Sequence, residues 1–146
     1  MTEDSRDRLT LHLSVALACL RGPLVRAFAG RGRSRRRELD LAPTMASNIA
    51  GSVAEAMTFE RDGTPVIWTR IAATIEAQLR VLPEHQARNW AGANSVQSEA
   101  ARKEIAALLS DRLATEFSVR ARNRPVVTPA TQVWCGAADA KSRTSE

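Results

Sequence analysis

The residues with the clearest chemical bias are arginines, and they are bunched. Between Arg21 and Arg37 stand seven arginines and no acid. Five of them, Arg31, Arg33, Arg35, Arg36 and Arg37, fall within seven residues. The formal net charge of the whole chain is only +5, so the remainder is net negative and the basicity is local. Guanidinium groups crowded this closely repel one another unless water or an anion lies between them. Their planar forks match phosphate and carboxylate oxygens, and each phosphate contact releases counterions, which makes such binding strong and salt-sensitive. Gly30 and Gly32 would let the segment mould to a nucleic-acid backbone, and Ser34 adds a hydroxyl. Arg26 precedes the run, and a second basic run, Arg120, Arg122 and Arg124, extends the surface if it folds nearby. A GC-rich coding sequence accounts for much of the excess of arginine (nineteen) over lysine (two). It does not account for the clustering.

No other residue set reaches a motif. Cys19 and Cys135 are far apart and lack a C-x-x-C pattern, which fits a reducing compartment. Cys19 sits in an apolar segment and reads as a small buried residue. A nucleophilic pair of Cys135 with His85 requires the two to meet in space, and the spacing does not impose that. His12 and His85 have no ligand partner at i+3 or i+4. Gly30-Arg31-Gly32-Arg33 lacks the spacing and the following Lys-Ser/Thr of a phosphate loop. The expectation is therefore a non-enzymatic protein with no metal and no cofactor. Its partner is nucleic acid, contacted through the backbone, or alternatively a protein with an acidic face, for which it would act as an adaptor or inhibitor. Trp90, beside Arg88 and Asn89, reads either as a base-stacking side chain or as a loop anchor. A helix-turn-helix centred on Asp62-Gly63-Thr64 has the right turn length, but Val66, Ile67 and Trp68 are poor groove-reading residues.

The elements that must position these residues read as helices. Alanine and leucine carry most of the apolar content, and both favour helix. Leu9 to Leu17 alternates like a strand, yet Leu9, Leu13, Ala16, Leu17 and Leu20 share a helical face. Helix is the reading taken, from about Arg6 to Leu20. Gly22-Pro23 breaks it, Leu24–Phe28 adds one more turn, and Gly30–Arg37 is expected to be a mobile loop. A second helix is expected from Leu39 to Glu60, with Pro43 in its first turn and Asp62-Gly63 as its stop. A third opens with Thr64 as N-cap and Pro65 at its first position, with the stripe Ile67, Ile71, Ile75, Leu79 and Leu82, and ends before Pro83. Glu84–Ala93 reads as a polar connection. Asn94 and Gln97 resemble a capping box for a fourth helix that reaches about Val119, striped by Ile105, Leu108, Leu109, Leu113 and Phe117. Val126, Val127 and Val133-Trp134 suggest an extended segment, and Ala137–Glu146 a disordered tail.

The expected fold is thus all-α: a four-helix bundle-like single domain over residues 1–136, built on a central αα-hairpin, with an Arg-rich loop and an irregular C-terminal tail. The alanine-rich helix face Ala46–Ala56 also suits a homodimer. No apolar run approaches bilayer length. The acids Glu3, Asp4 and Asp7 ahead of Leu9 oppose an export signal, so the expected location is cytoplasmic and no membrane partner is expected.

Overall fold

A computed structural model of the chain describes residues 3–122. The fold is mostly helical with a small three-stranded sheet. Helix α1 (Glu3–Ala18) settles the ambiguity at its centre. Leu9, Leu13, Ala16 and Leu17 are buried, whereas Leu11 and Val15, inward in a strand reading, are 60% and 50% exposed. Glu3 and Asp4 lie in the first turn, where the helix dipole favours negative charge. At Gly22-Pro23 the chain bends by 94° into α2 (Gly22–Ala29), a full short helix rather than a single turn. Gly30, with φ 86°, closes α2 in the left-handed conformation.

After the arginine loop, a 3-10 turn (Leu39–Leu41) leads into α3 (Ala42–Ala56), with Pro43 in the first turn as expected. Met45, Ile49 and Val53 are buried, and Ala42, Ala46 and Ala50 are spent on close packing inside the chain. The expected continuation to Glu60 is wrong. Met57–Arg61 is strand β1, with Met57 and Phe59 facing the core. Asp62 (φ 54°) and Gly63 (φ 79°) then form a two-residue turn into β2 (Thr64–Pro65), with Arg61 paired to Thr64. Asp-Gly is the residue pair such a hairpin demands, since both positions need positive φ. Thr64 and Pro65 are therefore edge-strand residues and not a helix start. Helix α4 begins only at Trp68 and runs to Arg80, and Ile67 is 67% exposed instead of joining the stripe. Ile71, Ile75, Leu79 and Leu82 are buried as expected. Arg80 Nε reaches Glu76 Oε2 at 3.0 Å, an i,i+4 pair on the exposed side of the helix.

The expected polar connection folds as α5 (Glu84–Trp90), and Trp90 is buried. In α6 (Ser95–Glu116), Asn94 caps the start: its Oδ1 accepts from the Val96 and Gln97 amides. The helix stops three residues before Val119. Ser118–Ala121 is strand β3, antiparallel to β1, and Leu108 is partly exposed instead of joining the stripe. The sheet order is β2-β1-β3, and Phe59 meets Phe117 edge to face at 6.3 Å. One apolar cluster joins all six helices to β1 and β3. The expected segment Val126, Val127 and Val133-Trp134 and the expected tail Ala137–Glu146 lie outside the described residues. Among the described residues no single helix is long and apolar enough to cross a membrane.

The two faces of α1 separate experimentally. Leu13→Ala is expected to cost about 2–5 kcal/mol in urea denaturation followed by circular dichroism, and Leu11→Ala no more than about 0.5 kcal/mol.

Candidate anion-binding surface

The arginine loop, expected to be mobile, takes a hydrogen-bonded turn held at both ends. Its entry is fixed by the left-handed Gly30 and by Gly32, where a Cβ would come within 3.0 Å of Ala27 Cα. The Arg35 amide bonds Gly32 O at 3.1 Å, and the Glu38 amide bonds Ala27 O at 3.2 Å. Ser34 Oγ accepts from the Arg36 amide at 3.2 Å. Arg35 itself takes φ 58°, a strained position for a residue with a side chain.

The five loop arginines divide into two kinds. Arg31, though exposed, is tied back to the fold: its Nε donates to Arg88 O at 2.7 Å, in the last turn of α5. Arg88 answers by donating from Nη1 to Gly30 O at 3.4 Å. Arg37 is half-buried. Its Nη1 donates to Leu82 O at 2.6 Å and its Nη2 to Leu79 O at 3.3 Å, at the end of α4. The guanidinium centre lies 5.0 Å from the Phe28 ring centroid, a cation–π contact. Burial pushes the Arg37 pKa down, the Glu84 carboxylate pushes it back up, and an arginine stays charged at neutral pH in any case. Arg33, Arg35 and Arg36 are the other kind. They are exposed, and among the described residues none of the five has a carboxylate within 4.0 Å.

Arg26 is exposed on α2, with Nη1 folded over Gly22. The second basic run does not join the loop. Arg120 Nη2 meets Glu60 Oε2 at 2.6 Å across β3 and β1. Arg122 Nη2 donates to Ala54 O at 2.9 Å, in the last turn of α3. Arg37 precedes α3, so about 18 Å of helix separates the two groups. Arg124 lies outside the described residues, as do Cys135 and Trp134.

The remaining candidates fall into place. Cys19 is exposed rather than buried, and His85 is exposed on α5. Among the described residues no three of His, Cys, Asp and Glu cluster as metal ligands. Trp90 is an anchor: it is 5% exposed, and its carbonyl accepts from Ser98 Oγ at 2.6 Å. The β1–β2 hairpin occupies the place of a helix-turn-helix turn. Arg88 carries no motif: its role depends on the helix end it reaches, and no local pattern encodes that. No family model, no curated protein and no solved structure matches this chain.

Arg37→Ala is expected to lower the unfolding free energy by about 2 kcal/mol, the worth of its charge-assisted bonds. Arg37→Lys should recover little of it, because one ammonium group cannot span two carbonyls with fixed geometry. Chemical denaturation of both variants measures this.

Proposed function

We propose that this is a small regulatory or accessory domain, not an enzyme, that binds nucleic acid without sequence preference through Arg33, Arg35 and Arg36. The observation that carries the reading is the division within the loop. Arg31 and Arg37 spend their donors on helix carbonyls, while three neighbouring guanidinium groups face solvent with no carboxylate partner among the described residues. Anchoring both ends lowers the ordering cost that a free loop pays on binding. Three charges on one rigid turn suit successive phosphates better than base edges.

The scaffold is read as bundle-like, because α3 packs on α1 and α4, and α6 on α1 and α4, which closes a ring of four helices behind the loop. Arg120 and Arg122 are left out of the binding surface, since each already has a partner at the far end of α3.

Fluorescence anisotropy with a labelled duplex and a labelled RNA of the same length tests this. For three phosphate contacts on DNA, log K should fall against log salt with a slope of roughly −3. The triple variant R33A/R35A/R36A should lose that slope and keep the wild-type melting temperature. Equal, weak binding by wild type and variant at low salt defeats the proposal. A stoichiometric acidic protein that co-purifies free of nucleic acid would assign the loop to a protein partner instead.

A further inference from the structure

A second concentration of positive charge lies behind the loop, in a cavity of about 210 Å³ where the end of α1, the start of α2 and the α5–α6 junction meet. Arg26 and Arg102 line it, and no acid does. Gly92 also lines it, and Arg31 Nη2 lies 3.6 Å from where a Gly92 Cβ would stand, so a third guanidinium reaches the rim. Gly22, another lining residue, leaves the space that Arg26 Nη1 occupies. Ser98 gives its hydroxyl proton to Trp90 O, so it has none to offer an anion.

The two arginines that line this cavity are not used as helix-end donors. Arg31, Arg37, Arg88 and Arg122 each donate to a carbonyl at a helix end. The Arg26 and Arg102 side chains stand beside the end of α1, where a guanidinium is favoured, yet neither makes a hydrogen bond or ion pair among the described residues, and the buried Nε of Arg102, like that of Arg37, has no partner. A buried donor on a charged group without an acceptor is costly and rare. A wider cleft of about 660 Å³ beside the β1–β2 hairpin differs: Asp62 helps to line it, and its Arg61 pairs with Glu116 at 3.8 Å.

We infer that the Arg26–Arg102 cavity binds a phosphate group, free or as a monoester, with Arg31 at its rim. The volume is below the roughly 300–1,000 Å³ of pockets that enclose drug-sized ligands, so one phosphate group enters and whatever it is esterified to remains outside. A dianion with several acceptor oxygens can take the outer N–H groups of the Arg26 and Arg102 forks together. Two sources share this chemistry: the 5′-phosphate end of a nucleic-acid strand, and free phosphate or a small phosphate ester. The site is separate from the surface of Arg33, Arg35 and Arg36 and does not depend on it.

Thermal unfolding in inorganic phosphate, against chloride at matched ionic strength, tests the inference. Phosphate should raise the melting temperature by mass action. The rise should vanish in Arg26→Gln and in Arg102→Met and persist in R33A/R35A/R36A. Arg102→Met also removes the unpaired buried donor, so it should fold at least as stably as wild type in chloride. Arg26→Gln, at an exposed position, gives the same reading through a second residue. A phosphate effect equal to that of chloride, or one that survives in both cavity variants or is lost only in the loop variant, overturns the site. Anisotropy then separates the sources. A strand end is the ligand if a 5′-phosphorylated oligonucleotide binds about tenfold tighter than its 5′-hydroxyl twin and this preference disappears in Arg102→Met. Equal binding of the two, with the phosphate stabilisation intact, assigns the cavity to free phosphate or a small ester.

Discussion

Helix carbonyls left over at C-terminal ends are the constraint around which this fold is arranged. Every α-helix leaves its last four C=O groups without an intrahelical partner, and the burden is heaviest in short helices such as α2, with eight residues, and α5, with seven. Here arginines supply the missing donors. Arg122 reaches Ala54 O in the last turn of α3, Arg37 Leu79 O in that of α4 and Arg31 Arg88 O in that of α5, while Arg88 reaches Gly30 O just past α2. Each contact joins two elements distant in the chain, so each caps a helix and fixes a tertiary position at once. The positive charge also opposes the negative end of the helix dipole. Lysine, with its single ammonium point, fits such positions less well than the guanidinium fork.

This sorts a run of identical residues by what lies beside them. Arg37 accepts partial desolvation because two carbonyls and the Phe28 ring replace the lost water. Arg31 and Arg88 clasp α2 to α5 in both directions. With both ends tied, the turn holds Arg33, Arg35 and Arg36 outward despite their mutual repulsion and the strained backbone at Arg35. The same clasp brings Arg31 to the rim of the cavity that holds Arg26 and Arg102. One set of helix-end contacts thus shapes both the outward surface and the recessed site.

The sheet closes the opposite end of the molecule. The last helix hands directly to β3, which pairs with β1, and Arg120 and Arg122 are used there to tie β3 to Glu60 and to α3. Their charge is as real as that of the loop, but it is spent on holding a strand in place. The α3–α4 pair still runs antiparallel, since Arg37, just ahead of α3, bonds the end of α4. The connection between them is a hairpin with an extended approach rather than a tight helical turn.

What residue order alone determined was every feature that repeats within a few residues: the buried face of α1, the Ile71–Ile75–Leu79 stripe, Pro43 in a first turn and the Asn94 cap. These follow from the helical repeat and from hydrogen bonds that span three or four residues. Strand β1 escaped because its stability comes from β3, some sixty residues away, and its Met and alternating residues also satisfy a helix. Helix α5 escaped because a seven-residue helix has too few turns to show a period. Which arginines are anchors and which face solvent was decided only by the tertiary structure, because the side chains are alike and their acceptors are backbone carbonyls, which every residue carries and no sequence pattern marks.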